Sequence, residues 1–158
     1  MLKKIKIILL ILFFFTGCAE NDKNFKQFNI EDLNITKLKE SNFNKDLSEF
    51  YIINFWASWC EPCKKEVELL NSLNKNVKNL KIVGISIMDT FSDANNFLNT
   101  QKVNYENYFD ENLISLDYFI SINSIPVTFL MDKSNNIIFR INGELTPDDY
   151  TRIIRAIK

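Results

Sequence analysis

Apolar and polar positions along this chain fall into two periods. Phe28-Asn29-Ile30 and Ile35-Thr36-Lys37-Leu38 alternate every second residue, as strands do, and Asp32-Leu33-Asn34 can turn between them. The first expected element is therefore an N-terminal β-hairpin. Ser41 to Glu49 is polar and loop-like. Tyr51 to Ala57 is aromatic and β-branched without alternation, the pattern of a strand buried on both faces. From Pro62 to about Asn76 the period changes to that of a helix, with Val67, Leu70, Leu73 and Val77 on one stripe. Leu80 to Met88 reads as a second buried strand. Ser92 or Asp93 can cap a helix to about Lys102, with Phe97 and Leu98 turned inward. Tyr105 to Phe109 is a short aromatic extended piece, and Leu113 to Ile120 a short helix. Val127 to Met131 and Ile137 to Ile141 are strands joined through Asn135-Asn136. Thr146-Pro147-Asp148-Asp149 opens a last helix with a capping residue, a proline and early acids, and Tyr150, Ile153, Ile154 and Ile157 face inward. The order β-β-β-α-β-α-α-β-β-α predicts an α/β fold with a central mixed sheet, flanked by helices and covered on both faces.

Ahead of these elements lies a different pattern. Lys3, Lys4 and Lys6 precede an apolar run from Ile7 to Phe15, followed by Thr16-Gly17-Cys18. A basic start, a short apolar core and small residues describe a secretory signal peptide, and the run is shorter than the ~18 residues that span a bilayer. Phe15-Thr16-Gly17-Cys18 resembles a bacterial lipobox, with Phe15 where an aliphatic residue is usual. The expected organisation is a leader over 1–17, a tether over 18–26 beginning at a lipid-bearing Cys18, and one domain over 27–158. The alternative is an ordinary signal peptide cut nearby, with Cys18 incidental. Either version expects an extracytoplasmic protein, and lipid on Cys18 would hold it to a membrane.

Three of the 19 basic residues and none of the 20 acids lie in the leader, so the remainder carries a net charge of −4. That balance argues against nucleic acid as a partner, which calls for a basic face.

The chemistry is concentrated in Trp59-Cys60-Glu61-Pro62-Cys63, between the buried strand and the first helix. Free N–H groups and partial positive charge at a helix N-terminus favour a thiolate, the reactive form of cysteine. Cys60 at the expected N-cap is the candidate nucleophile, with an exposed sulfur; Cys63, one turn in and shielded, is the candidate resolving cysteine. Pro62 falls in the first turn, where a missing N–H costs little. Two other readings of a CxxC stay open. One is half of a zinc site, although the chain has no histidine and its third cysteine is in the leader. The other is a permanent structural disulfide.

Asn54-Phe55-Trp56-Ala57-Ser58-Trp59-Cys60-Glu61-Pro62-Cys63-Lys64-Lys65-Glu66, then Ile125-Pro126-Val127-Thr128-Phe129-Leu130 and Gly143-Glu144-Leu145, resemble the thioredoxin superfamily. Within it, they resemble the TlpA/ResA-like membrane-anchored thiol–disulfide oxidoreductases. The resemblance implies a thioredoxin fold with a central insertion, around 104–112, whose Tyr105, Tyr108 and Phe109 either line a substrate groove or belong to the core. It implies a cis bond before Pro126 and a substrate chain paired along Ile125. Trp59, Glu61 and Pro62 complete the expected substrate-binding set. Asn54 stands where cytosolic thioredoxins carry a proton-shuttling Asp, and Asn takes no proton. Glu66, on the Cys63 face of the helix, is then the candidate catalytic base; the alternative is a solvated helix-surface acid or a partner of Lys64 or Lys65. Glu61 and Glu66 together would disfavour a thiolate and make the pair a reductant.

The implied activity is reduction of disulfides in exported proteins, with apocytochrome c as a candidate substrate and a DsbD/CcdA-type membrane protein as electron donor. No metal is expected, and no cofactor beyond the redox-active Cys60–Cys63 disulfide. The rivals are a general reductant or oxidant of exported thiols, a peroxide-reducing enzyme of the same superfamily, and a non-catalytic docking module. A peroxidase would call for a single Thr-x-x-Cys cysteine.

Overall fold

The structure, a computed structural model, describes residues 29–40, 48–119 and 121–158. The expected leader, tether and Cys18 lie outside them.

Among the described residues, six strands form one mixed sheet. In chain order they are β1 (Thr36–Lys39), β2 (Phe50–Trp56), β3 (Leu80–Ile87), β4 (Glu106–Asp110), β5 (Val127–Asp132) and β6 (Ile137–Asn142), arranged β1-β4-β3-β2-β5-β6. β2, β3 and β4 run parallel, while β1, β5 and β6 pair antiparallel to β4, β2 and β5. Among the described residues, three helices accompany the sheet: α1 (Glu61–Asn76), α2 (Phe91–Thr100) and α3 (Pro147–Ala156).

The central strands are apolar on both faces because both are covered. Ile52 and Trp56 of β2 face one core with Leu80 and Ile82 of β3, while Ile53 and Phe55 face the other with Val83, Ile85 and Ile87. The first core receives all three helices, through Val67, Leu70 and Leu73 of α1, Phe97 and Leu98 of α2, and Ile153 of α3. Leu70 and Leu73 are fully buried, worth about 2–3 kcal/mol each. The sheet is thus covered on both faces, as expected, and the three helices share the first. The crossovers β2–α1–β3 and β3–α2–β4 step the same way across the sheet, so a common handedness puts both helices on one side. The second face is covered by 3₁₀ turns, Ile30–Asp32 and Ile114–Tyr118, with Leu33, Leu116 and Phe119 packed inward.

Other expectations are corrected locally. The N-terminal hairpin is not formed: Ile30–Asp32 is a 3₁₀ turn, and Thr36–Lys39 pairs with β4. Phe28 lies outside the described residues. The aromatic piece at 105–109 is extended as expected, running into β4 from Glu106, and of its two readings the core holds: Tyr105, Tyr108 and Phe109 are buried. After it, the buried Asp110 carboxylate accepts the N–H groups of Ile114 and Ser115, which closes a 3₁₀ turn where an α-helix was expected. α2 is capped by Thr90 rather than Ser92 or Asp93, because Thr90 Oγ1 accepts from the Asp93 N–H. α3 begins as expected, with Thr146 and Asp149 capping each other reciprocally and Pro147 in the first turn.

Candidate active site

Three parallel strands end, and β5 begins, along one edge of the sheet. The β2–α1 junction lies there and carries the two cysteines. Cys60 is the N-cap of α1, extended at φ −82° and ψ 106°, and its Sγ accepts the Cys63 N–H at 3.3 Å. The two cysteines are joined as a disulfide. Sulfur thus occupies the N-cap role usually filled by a hydroxyl or carboxylate oxygen. The expected contrast in exposure is corrected: Cys60 is 4% exposed and Cys63 2%, so in the oxidised form both are buried.

The preceding loop is held from the end of β3. Asp89 accepts the Ser58 N–H at 2.6 Å and the Ser58 hydroxyl at 2.8 Å. Trp59 Nε1 donates to the Met88 carbonyl at 2.8 Å, which fixes an indole that remains 61% exposed. Sequence reasoning missed Asp89; an acid just after a buried strand was its only signal.

Glu66 lies one turn beyond Cys63, and it is neither a surface acid nor a partner of Lys64 or Lys65. It is 1% exposed; Oε1 accepts from Asn54 Nδ2 at 2.8 Å and Oε2 from the Leu145 N–H at 2.9 Å. Asn54 Nδ2 also donates to Thr128 Oγ1 at 3.0 Å, so α1, β2, β5 and the turn before α3 meet at one carboxylate. Burial pushes the Glu66 carboxyl up to about 7; the Leu145 and Asn54 donors hold it back, and the charge of Glu144 adds to the rise. Burial also raises the Tyr105 phenol, with the charge of Glu66 contributing. The sequence pointed to Glu66 and to the substitution at Asn54. It gave no sign of the Leu145 N–H, a backbone group 79 residues away.

Glu61 is different. It is exposed and bonded to Lys64 Nζ at 2.9 Å, and this hydrogen bond and the lysine's charge hold its carboxyl below the usual value. Pro62 occupies the first turn of α1. The Ile125–Pro126 bond is cis, as expected. The Pro126 carbonyl accepts the Gly143 N–H at 2.8 Å, and Ile125 stands half-buried just ahead of the β5 ladder.

Residues 22–140 match the AhpC/TSA family. The chain belongs to this family. The chain is similar to the thiol-disulfide oxidoreductase ResA of Bacillus subtilis, at 27% identity over 81% of this chain and 72% of that protein. It is also similar to the thiol:disulfide interchange protein HelX of Rhodobacter capsulatus, at 34% identity over 65% of this chain and 57% of that one. A thiol:disulfide interchange protein of the thioredoxin family from Chlorobium tepidum superposes with a TM-score of 0.61 at 27% identity, covering 68% of this chain and 79% of that one. The structure of MTB dsbF superposes at 0.66 and 20% identity, over 78% and 93%, which shows the fold. This AhpC/TSA member has the thioredoxin fold and is a thiol–disulfide oxidoreductase that carries a Cys60–Cys63 disulfide.

Proposed function

We propose that the protein works outside the cytoplasm as a reductant of disulfides in exported polypeptides. The observation that carries this reading is the buried Glu66 carboxyl, raised to about 7, one turn from Cys63 at the base of the Cys60–Cys63 disulfide. A reducible centre whose thiolate is poorly stabilised is a reductant, since strong oxidants are those whose reduced form is stabilised.

In the reduced protein, Cys60 attacks a substrate disulfide as the thiolate. A mixed disulfide forms and one substrate sulfur leaves as a thiolate, which takes a proton. Cys63 passes its proton to the Glu66 carboxylate and attacks Cys60 Sγ. The second substrate sulfur leaves, two electrons have passed to the substrate, and the pair is again the disulfide seen here. A carboxyl near 7 is better matched to a thiol of pKa about 8.5 than an ordinary glutamate is. The substrate chain pairs with the backbone of Ile125, in the loop just ahead of β5, where main-chain pairing gives affinity with little sequence selectivity. Trp59, Glu61 and Pro62 border that path.

Two electrons must then be restored, and a DsbD/CcdA-type membrane protein is the proposed donor. Lipid on Cys18 would keep the domain within its reach. Apocytochrome c is the first substrate proposed, on the resemblance to TlpA/ResA-like proteins.

The reduction potential tests this reading. Equilibration of the purified protein with thiol redox buffers is expected to give a value near or below about −270 mV. A value near about −120 mV would mark a disulfide donor and sink the proposal.

A further inference from the structure

Six large apolar side chains are exposed among the described residues, and four belong to the edge of the sheet that carries the disulfide: Trp59 at 61%, Met88 at 52%, Phe91 at 49% and Leu113 at 36%. They follow the C-terminal ends of β2, β3 and β4, so the strand order sets them in a row leading away from Cys60, on the side opposite Ile125. The row is built rather than loose. Trp59 Nε1 is fixed to the Met88 carbonyl, and Met88 itself holds a left-handed backbone at φ 53°. Phe91 packs edge-on against Phe109, ring centres 5.9 Å apart. Leu113 is also left-handed, at φ 58°, beside the turn closed by Asp110. Exposed apolar groups grouped at a reactive centre mark a recognition surface.

The charges along this row are acidic. Asp93 and Glu111 are exposed and, among the described residues, neither forms an ion pair, whereas the nearby Lys64 is taken up by Glu61. Adjacent strands lie about 4.8 Å apart, so the row from β2 to β4 spans about 10 Å, the reach of three extended residues. Four side chains fall far short of the ~800 Å² per partner that a stable folded complex buries.

We infer that this row is a docking face for an extended, apolar and positively charged segment of the polypeptide whose disulfide is exchanged at Cys60. The inference rests on the reading of Cys60–Cys63 as a dithiol centre. It assigns Met88, Phe91 and Leu113 to apolar contact beyond Trp59, and Asp93 and Glu111 to basic side chains at the rim.

The test measures single-turnover oxidation of the reduced full-length protein by three disulfides. Two are peptides with one internal disulfide and flanks of Leu and Lys or of Leu and Glu; the third is hydroxyethyl disulfide, too small to reach the row. The Lys peptide should react about ten-fold faster than the Glu peptide. Paired Met88→Asn and Phe91→Ser substitutions should slow the Lys peptide about ten-fold and leave hydroxyethyl disulfide within about two-fold. Met88→Asn alone, with a residue that suits a left-handed backbone, should slow it about three-fold without touching the Phe91–Phe109 packing. Glu111→Lys should narrow the preference for the Lys peptide. Equal rates for the two peptides, or equal losses for peptide and small disulfide, would overturn the docking face alone. If the unaltered protein reduces none of the three, the dithiol reading falls and the docking face with it.

Discussion

Asn54 donates its side-chain N–H to Glu66 Oε1 at 2.8 Å, joining the central strand to the turn of α1 that follows the cysteines. Asn54 is paired across the sheet with Thr128, which accepts its other N–H. Both donors of one amide are thereby used to hold a carboxylate and a strand in register. An Asp at this position would set a second acid against Glu66; Asn supplies donors instead.

Glu66 makes stability depend on pH with a definite sign. Its folded value, about 7, lies above the ordinary 4.5. Its contribution is therefore complete below pH 4.5 and lost as pH rises through 7, to about 3 kcal/mol at full ionisation. The depressed groups, Glu61, Glu106 and Asp132, act in the opposite sense and below this window. Urea midpoints of the oxidised protein should fall from pH 5 to 8. Glu66→Gln should flatten that slope, at a cost of about 1–2 kcal/mol near pH 5, because an amide nitrogen cannot accept from Asn54 or Leu145. An unchanged slope in the variant would assign the titration elsewhere.

The same residue should govern the cysteines. Replacing Glu61 and Glu66 together by Gln is expected to lower the Cys60 pKa and raise the reduction potential. Because Glu61 is exposed and bonded to Lys64, whereas Glu66 is buried, Glu66→Gln alone should account for most of the change. Thiolate absorbance against pH and redox-buffer equilibration read the two effects, and an equal response to Glu61→Gln alone would contradict the assignment.

Cys60 and Cys63 should be distinguishable by trapping. Cys63→Ala leaves the proposed nucleophile without its resolving partner and should accumulate a reductant-sensitive mixed disulfide with a disulfide-bearing polypeptide. Cys60→Ala should accumulate none. Non-reducing electrophoresis gives the comparison, and trapping by Cys60→Ala would reverse the assigned roles.

Gly84 allows a hydrogen bond to pass over β3. Trp56 Nε1 donates to Asn107 Oδ1 at 2.9 Å, and a Cβ on Gly84 would stand 2.0 Å from that oxygen and 2.9 Å from the indole nitrogen. Gly84→Ala should destabilise the protein by about 2–4 kcal/mol, through overpacking and the loss of a buried hydrogen bond. Chemical denaturation measures it, and a loss below about 0.5 kcal/mol would show that Asn107 moves aside freely.

The redox motif, the buried strands and the start of the last helix could be read from local pattern. Cys60-Glu61-Pro62-Cys63 announces its own chemistry, Tyr51 to Ala57 declares a doubly buried strand by its composition, and Thr146-Pro147 marks a helix start within two residues. All of these depend on interactions a few residues apart. What only the tertiary structure decided are effects of distant groups. The parallel order of β2, β3 and β4 put α1 and α2 on one face and made a core strand of an aromatic stretch. The backbone N–H of Leu145, from the far end of the chain, helps to turn Glu66 from a helix-surface acid into a buried one. Burial and backbone donors belong to the folded arrangement, and no residue letter encodes them.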